Sequence, residues 1–299
     1  MHQRFLFLGL VTAMFVQSSC IELKSSSVSL KSSRPNSNQQ QSVYDRVLKA
    51  GKIRCAYVTY WPGCIKDQAT GKMSGVHVDA MEAIGNKLGL KIEWTEEVGW
   101  SSMVEGLQTD RYDVVASGVW SNATRGKYAG FSVPFYYSGP NVYVRANDRR
   151  FDKDLHAINS SSVRIATIDG EMADIIARAQ FPQAKRISLP ELANISQAFL
   201  EVTDKKADVF FEDPASAYKF TANNPGKIRL VAHDKPLRVF GVSLMFRRGE
   251  VELQGMLDKA VDELVLGGDM DQILNQYERT PGCFFYRRIN PYRVVGQNK

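Results

Sequence analysis

The sequence predicts an α/β protein built from two lobes. Apolar residues alternate along the chain between strand-like runs and helix-like stripes, and a second series of such units follows the first after residue 145. The length of 299 residues, with 44% hydrophobic and 23% charged residues, is sufficient for two modest cores. Alternating strands and helices favour largely parallel sheets. The sequence shows no internal repeat.

The first series of elements covers residues 53–145. Its predicted strands are 53–58, 91–95, 113–116 and 142–145. A helical stripe of apolar residues from Val78 to Leu88 ends at Gly89, which is a natural helix stop. The segment Ser102–Glu105 matches a capping box and predicts the start of the next helix.

The second series covers residues 163–246 and is followed by further helices. Its predicted strands are 163–168, 208–212, 228–232 and 239–246. Predicted helices cover about 171–180, a segment after Pro190, and a segment that begins at Pro214, since proline is tolerated in the first turn. Two more helices are expected within 251–277.

The N-terminus predicts an exported protein. Residues 1–20 combine a short positive start, an apolar run from Phe5 to Val16, and small residues before Cys20, which is typical of a signal peptide. Cys20 lies where bacterial lipoproteins carry a lipidated cysteine, and ordinary cleavage nearby is the alternative. Residues 21–42 are rich in Ser, Asn and Gln and predict a flexible tether. We expect the protein in the periplasm or on the outer face of the cell membrane, which it would touch only through that lipid.

Charge and composition argue against several classes of function. The formal net charge is +6, but the positive residues are scattered, so a solvated basic surface is expected and a nucleic-acid partner is not. The four histidines are dispersed, and CxxC and HxxxH spacings are absent. Because no Ser-His-Asp or Cys-His set is recognisable either, we expect no metal, no cofactor and no nucleophilic active site.

Three cysteines remain if Cys20 is lipidated: Cys55, Cys64 and Cys283. Cys55 and Cys64 are close in sequence, and an oxidising compartment would allow a disulfide between them. Two buried thiols are the alternative.

Several segments, taken in order, resemble the polar amino-acid-binding proteins of bacterial ABC importers. The resemblance runs from about Val43 to Tyr277. It is carried by 48–54, 60–62, 75–79, 106–107, 112–115, Arg125, 131–136, Asp208 and Asp213. Each fragment alone is common, whereas their order and spacing together make the signal specific.

The resemblance implies a type II periplasmic-binding-protein fold, in which two lobes are joined by two hinge strands and the ligand lies in the cleft between them. The hinges are expected near Val142–Ala146 and Pro236–Val242. One lobe would contain residues 43–142 and 240–299, and the other residues 146–236. The lobes would close around the ligand by a hinge motion.

The resemblance also assigns the charged ends of a zwitterionic ligand to Arg125 and Asp213. Removing a carboxylate and an ammonium from water is costly unless each meets an opposite charge. The planar guanidinium of Arg125 suits a carboxylate, and a surface ion pair is the alternative for this residue. Asp213 is assigned to the ammonium, although Pro214 follows it, so Asp213 also matches a helix cap. One carboxylate has enough acceptor sites for both roles.

Two departures from the family's pattern affect the expected pocket. Gly170 should open a helix whose backbone N–H groups favour an anion, but Glu171 follows where the family often has threonine. Glu171 either adds negative charge to the site or points to solvent and stabilises the helix start. Trp120 stands where a hydroxyl residue commonly donates to the ligand carboxylate, and Gly118 in the same segment is a further candidate contact. A ligand other than a standard α-amino acid therefore stays open.

Aromatic residues gather in the segments that carry the resemblance. The candidates for the pocket wall are Tyr57, Tyr60, Trp61, Trp100 and Trp120. Such rings stack on a flat or apolar group or surround a cation, and the sequence does not separate these alternatives. Core or surface packing is the alternative for each ring alone and the preferred interpretation of Trp94.

The resemblance implies a monomeric, non-catalytic receptor that delivers an amino acid or a related zwitterion to the permease of an ABC importer. Two other functions stay open. Some relatives of this family are dehydratases of cyclohexadienyl acids, which need an acid in the cleft, and Glu171 and Glu212 are the candidates. A sensory or partner-presenting protein would bind ligand without serving a transporter. Residues 280–299 lie beyond the usual family end and either pack on the first lobe or contact a partner.

Overall fold

The structure is a computed structural model that describes residues 41–231, 236–278 and 283–288. The predicted signal peptide, the lipidation of Cys20 and nearly all of the predicted tether lie outside these residues. Within them, no helix combines the length and the apolar character needed to cross a bilayer.

The order of helices and strands follows the sequence prediction closely. The helices are α1 (Val43–Ala50), α2 (Val76–Leu88), α3 (Met103–Gln108), α4 (Ala123–Gly126), α5 (Met172–Gln180), α6 (Ile195–Thr203), α7 (Pro214–Asn223), α8 (Val251–Leu266) and α9 (Asp269–Tyr277). The strands are β1 (Lys52–Tyr57), β2 (Ile65–Lys66), β3 (Met73–Ser74), β4 (Lys91–Glu97), β5 (Val114–Trp120), β6 (Ala129–Phe131), β7 (Tyr136–Ser138), β8 (Asn141–Arg145), β9 (Arg164–Ile168), β10 (Lys185–Leu189), β11 (Val209–Glu212), β12 (Ile228–Leu230), β13 (Phe240–Arg247) and β14 (Tyr286–Arg287). All eight predicted strands are present within a few residues. The short strands β2, β3, β6, β7, β10 and β14 and the helices α1 and α4 were not predicted.

The helix ends show which of the predicted start and stop residues are correct. Gly89 ends α2 in the left-handed region with φ of 65°, as its glycine predicts. The predicted capping box at Ser102–Glu105 is wrong, because the Ser102 side chain makes no cap bond and its Oγ instead accepts from the Gly99 N–H. The structure shows a capping box at the start of α6. The Asn194 side chain accepts from the backbone N–H of Gln197, and the Gln197 side chain accepts from the backbone N–H of Asn194.

Two mixed sheets form the two lobes. The first sheet has the order β14-β7-β13-β5-β1-β4, with β6 also paired to β13, and the second has the order β10-β9-β11-β8-β12. Strand β1 is parallel to β4 and β5, and β9 is parallel to β10 and β11. However, β8 and β13 are antiparallel to all of their neighbours, so the expectation of largely parallel sheets is only partly right. These two strands follow the segments that cross between the lobes, and an antiparallel neighbour needs no crossover helix.

The chain crosses between the lobes at residues 139–140 and again between β12 and β13. The predicted first hinge, 142–146, is instead β8, which lies inside the second sheet and pairs with β11 and β12. The two crossings touch: a Cβ at Gly139 would lie 1.8 Å from the Arg238 carbonyl oxygen. Glycine is therefore required at this point of close backbone approach.

Each lobe fixes a buried strand with the aspartate that precedes it. Asp113 is 2% exposed and accepts from the backbone N–H of Arg54 at 2.8 Å and from its guanidinium. Asp208, at 4% exposed, accepts in the same way from the backbone N–H and guanidinium of Arg164. Burial alone would raise the pKa of Asp208, but hydrogen bonds from Arg164, Arg145 and Arg150 hold it well below its usual range. Asp113 and Asp208, which the resemblance includes, thus have a structural role.

The predicted disulfide is absent, since Cys55 and Cys64 are both free, buried thiols among the described residues. They belong to different clusters. Cys55 lies in the large core beneath α2, whereas Cys64 packs with Tyr57 and Val78, and its Sγ contacts the Ala116 carbonyl at 3.8 Å. Burial raises the pKa of Cys64 to about 12, so this thiol is unreactive.

Candidate functional site

A cavity between the two lobes contains most of the residues proposed from the sequence. The first lobe lines it with Tyr60, Pro62, Gly63, Val76, His77, Trp100, Gly118, Trp120, Arg125, Tyr136, Ser138, Val242 and Phe285. The second lobe contributes Glu171, Met172, Ile195, Glu212 and Asp213. The cavity therefore brings one guanidinium and three carboxylates together with several aromatic rings.

Arg125 enters the cavity from the short helix α4, whose start is capped by the Asn122 side chain. Its guanidinium spans the cleft, because Nη2 donates to the Gly170 carbonyl of the second lobe at 2.7 Å and Nη1 to the Trp120 carbonyl at 3.4 Å. Burial lowers the pKa of Arg125 to about 10, and the charge of Glu171 opposes that effect. The side chain thus stays cationic near neutral pH and holds the lobes together.

Glu171 is the N-cap of α5, and its carboxylate accepts from the Ala173 N–H at 2.6 Å. It is only 6% exposed, so the alternative that it points to solvent is wrong. Burial raises the pKa of Glu171 to about 7, although N–H donors and Arg125 favour its charged form. The protein's own carboxylate therefore occupies the helix N-terminus that the sequence suggested for a ligand anion.

Gly170 does not line the cavity and contributes through its carbonyl, which accepts from Arg125. It adopts a φ of 75°, and a Cβ there would lie 2.6 Å from Ser101 Cα of the other lobe. Gly118 does line the cavity and has a φ of 62°, and a Cβ on it would lie 2.0 Å from His77 Cε1. Both glycines allow close approach that any side chain would prevent.

Asp213 lines the cavity at the start of α7, where it also caps the helix, so both sequence interpretations describe its position. Its Oδ1 accepts from the N–H groups of Ala215 at 2.8 Å and Ser216 at 3.0 Å, and its Oδ2 accepts from Ser216 Oγ at 2.8 Å. Glu212 precedes it and is 3% exposed. Glu212 Oε1 accepts from the Asp213 N–H at 3.0 Å, whereas Oε2 is buried without a partner among the described residues.

Three of the five predicted aromatic residues line the cavity: Tyr60, Trp100 and Trp120. The rings of Tyr60 and Trp100 are 5.7 Å apart. Trp120 donates from Nε1 to Ser138 Oγ at 2.7 Å and stacks on Phe240 at 5.5 Å. These three rings give the cavity an aromatic lining.

Tyr57 and Trp61 do not line the cavity, which corrects the prediction for both. Tyr57 points away from the cleft into the cluster with Trp94, whose ring is 6.1 Å from it. Trp61 lies at the contact between lobes, where its ring is 6.5 Å from that of Tyr218 and its carbonyl accepts from Ser216 Oγ at 3.3 Å. A segment match gives the position of a residue along the chain but not the direction of its side chain.

His77 and Tyr136 are cavity residues that the sequence analysis missed. His77 is 2% exposed and stacks on Tyr136, and its Nε2 lies 3.0 Å from Tyr60 Oη and 3.4 Å from Tyr136 Oη. Burial lowers the pKa of His77 to about 3, so the ring is neutral at physiological pH. The family segment that residues 75–79 resemble carries an aspartate at the position of His77. This difference was the signal that could have pointed to His77.

Phe285 was also missed, because it lies in the stretch 280–299 that the sequence left unassigned. Strand β14 pairs with β7 at the edge of the first-lobe sheet, which places the Phe285 ring 4.9 Å from that of Tyr136 in the cavity wall. The backbone N–H groups of Phe284 and Phe285 both donate to Glu278 Oε1, at 2.7 and 2.8 Å. Phe284 reaches the second lobe and lies 5.5 Å from Tyr218. The described part of this stretch therefore pairs with the first-lobe sheet and also contacts the second lobe through Phe284.

A second contact closes the cleft on the side of Gly170. Glu191 of the second lobe accepts, through Oε2, from the backbone N–H groups of Ser101 at 3.2 Å and Ser102 at 3.0 Å. The Ser101 hydroxyl donates to the same oxygen. We call this set of bonds the Glu191 latch.

This arrangement, with two α/β lobes and charged groups from both meeting in one cleft, defines a solute-binding protein. The model of the bacterial extracellular solute-binding proteins, family 3, matches residues 53–280. The chain belongs to this family, which confirms the resemblance found in the sequence. The matched range ends before Phe285, so this part of the cavity wall lies outside the family pattern.

Individual relatives include both binding proteins and an enzyme. The chain is 26% identical over 179 residues to the cyclohexadienyl dehydratase of Pseudomonas aeruginosa, a match that covers 60% of this chain and 65% of that relative. It is 24% identical over 215 residues to a probable amino-acid ABC transporter-binding protein of Haemophilus influenzae, covering 72% and 79% of the two chains. The solved structure of an ancestral amino acid-binding protein, a precursor of cyclohexadienyl dehydratase, has a TM-score of 0.68 and 25% identity and covers 79% of this chain and 99% of its own. The predicted two-lobed type II fold is confirmed.

Proposed function

We propose that this protein is the extracytoplasmic receptor of an amino-acid ABC importer and binds a zwitterion between its lobes without transforming it. Arg125 binds the ligand carboxylate, Asp213 the ammonium, and the rings of Tyr60, Trp100 and Trp120 contact the side chain. The observation that carries the proposal is the presence of Arg125 and Asp213 in one cavity on opposite lobes. Similarity to an amino-acid ABC transporter-binding protein supports the transport role.

A zwitterion couples binding to closure in this geometry. Its carboxylate contacts a cation of the first lobe and its ammonium an anion of the second, so it stabilises the closed form more than the open form. Arg125 has five N–H donors and gives two bonds to protein carbonyls, which leaves donors for a carboxylate. Asp213 is held rigidly by the start of α7, so little ordering is needed when the ammonium binds.

Calorimetric titration of the purified exported protein with amino acids, betaines, polyamines and small organic acids tests this proposal. We expect a zwitterion to bind, and Arg125→Ala and Asp213→Ala each to weaken it by more than about 10-fold, since each removes a charge-assisted bond. Arg248→Ala, which changes an exposed arginine bonded to the Lys127 carbonyl, is the matched control. Binding only by compounds that lack an ammonium or a carboxylate would refute the assignments of Arg125 and Asp213.

A dehydratase is the second candidate, and the state of Glu171 is the observation that favours it. Burial brings the pKa of Glu171 to about 7, which suits a general acid near neutral pH, and one relative is a cyclohexadienyl dehydratase. Against this role, the Glu171 carboxylate is bonded to its own helix. Incubation with a cyclohexadienyl acid followed by mass spectrometry separates the two: an enzyme yields the dehydrated product and a receptor returns the compound unchanged.

The proposal extends to attachment at the membrane through a lipid on Cys20 and to a monomeric state. Fractionation of cells that express the Cys20→Ser variant tests the anchor. We expect the variant in the soluble fraction and the unmodified sequence in the membrane fraction. Equal distribution of the two would favour ordinary cleavage, and light scattering of the soluble variant gives the oligomeric state.

A further inference from the structure

Glu212 is a buried carboxylate that the proposed amino-acid contacts leave unused. It ends β11 and lines the cavity, with 3% of its surface exposed. Its Oε1 accepts from the backbone N–H of Asp213, but Oε2 has no hydrogen-bond partner in the described part of the chain. Buried polar atoms are nearly always bonded, so an unbonded oxygen in a cavity wall indicates a contact that the ligand completes.

The other acidic groups at the cavity already have partners. Asp213 accepts three hydrogen bonds at the start of α7, from two backbone N–H groups and the hydroxyl of Ser216. Glu171 caps α5 and lies near Arg125. Among these three acidic groups, Glu212 is therefore the one with a buried, unbonded oxygen.

Among the described residues, no group of the first lobe bonds to Glu212 Oε2. The titratable groups that line the cavity from that lobe are Arg125, His77, Tyr60 and Tyr136. Arg125 directs two donors to the carbonyls of Gly170 and Trp120. His77 is uncharged, because burial lowers its pKa to about 3, and the two tyrosines carry no positive charge.

We propose that Glu212 Oε2 binds a second cationic group on the ligand, so that the receptor selects a basic amino acid over a neutral one of the same shape. This inference rests on the proposed function, in which Arg125 and Asp213 bind the carboxylate and ammonium of the same ligand. A neutral zwitterion offers Glu212 no positive charge, whereas a basic amino acid supplies a cation beside which Glu212 can ionise. The rings of Tyr60 and Trp100 line the same cavity, and aromatic faces attract a cation as well.

The same geometry couples binding to proton release. Burial, with repulsion from Asp213, raises the pKa of Glu212 well above its usual range, so burial favours the protonated form in the free protein. A cation beside Oε2 favours the charged form and displaces that proton. A neutral ligand leaves it in place.

Matched ligand pairs test the inference. L-arginine is compared with L-citrulline, and L-lysine with L-norleucine, because each pair differs mainly in the positive charge at the end of the side chain. Titrations use the purified exported protein, the Glu212→Gln variant and the Glu252→Gln control, which changes an exposed glutamate on α8. Each titration is run in two buffers of different ionisation enthalpy, so that the heat reports protons released. Thermal unfolding confirms that each variant is folded.

We expect at least one basic amino acid to bind roughly 10- to 100-fold more tightly than its neutral partner, as for a charge-assisted bond. Its binding should release protons at neutral pH. In Glu212→Gln we expect both the preference and the release to disappear, and in Glu252→Gln we expect both to remain. If Glu212→Gln does not fold, the ligand preference and the proton release of the unmodified protein test the inference on their own.

Three outcomes would overturn the inference while leaving the receptor intact: neutral and basic partners bind equally, another zwitterion binds but no basic one does, or the preference persists in Glu212→Gln. Failure of every zwitterion to bind would instead refute the proposed function itself.

Discussion

The Glu191 latch joins the two lobes at a point outside the ligand cavity, so its removal tests whether closure controls affinity. Glu191 follows β10 in the second lobe, and one of its carboxylate oxygens receives both the backbone N–H and the hydroxyl of Ser101 and the backbone N–H of Ser102. Glu191→Ala removes these bonds without touching a cavity residue. We predict that the closed form becomes less populated and that ligand binds more weakly.

The size of the effect follows from the number and exposure of the bonds. A hydrogen bond to a charged group contributes about 1.5–3 kcal/mol when well shielded. Glu191 is half-exposed, and the serines bond to water when the cleft opens, so a total of about 1–2 kcal/mol is expected. Since about 1.4 kcal/mol corresponds to a factor of ten, apparent affinity should fall roughly 5- to 30-fold.

Calorimetry with the tightest-binding amino acid gives the affinity, and small-angle X-ray scattering gives the radius of gyration with and without ligand. Glu201→Ala is the control, because Glu201 pairs with Lys206 inside the second lobe. Hydrogen bonds from Ser101 lower the pKa of Glu191, so the latch is complete above the usual glutamate pKa and is lost as the pH falls from there through the lowered pKa. Unchanged affinity and unchanged dimensions in Glu191→Ala would refute the reasoning.

Three further predictions concern other parts of the molecule. Phe285→Ala should weaken ligand binding by about 3- to 30-fold with little loss of secondary structure, because it removes one ring from the cavity wall. Calorimetry measures the affinity and circular dichroism the secondary structure. Wild-type affinity in this variant would contradict the prediction. Asp208→Asn should lower the free energy of unfolding by roughly 1–3 kcal/mol in urea titrations, because it removes the buried anion that partly exposed arginines share. The stabilisation by Asp208 should be complete above the unfolded pKa of about 3.9 and be lost progressively as the pH falls from there through the lowered pKa of the folded state. Equal acid stability of the variant and the unmodified protein would disprove the role. In the exported protein, Cys283 should react with a thiol reagent in the folded state, whereas Cys55 and Cys64 should react only after unfolding. If Cys55 and Cys64 resist the reagent under denaturing, non-reducing conditions, they form a disulfide and the prediction is wrong.

The sequence predicted the fold well because the signals that define it are local. Apolar periodicity located all eight predicted strands, and Gly89 and Pro214 marked a helix end and a helix start correctly. Strand direction was predicted less well, because β8 and β13 depend on where the chain crosses between lobes. The short strands at the sheet edges have too few residues to show a period.

The sequence predicted site residues correctly where the position of a motif also determines the direction of the side chain. It missed residues whose direction depends on packing. Arg125 lies in the four-residue helix α4, Asp213 caps α7, and both line the cavity as the matched motifs predicted. Tyr57 lies on a matched segment but its side chain points to the opposite side of the strand. The unbonded oxygen of Glu212 depends on the packing of both lobes around it, which no local pattern contains.

Strand β14 has a practical consequence for measuring ligands with this protein. Expression boundaries chosen from the family match alone would end at residue 280 and remove the ring of Phe285 from the pocket. The exposed thiol of Cys283 lies two residues before that ring. An environment-sensitive dye on this native cysteine would sit beside the binding cleft and change its emission as the cleft fills. The molecule thus already contains the attachment point for a reagentless fluorescent sensor of its own ligand.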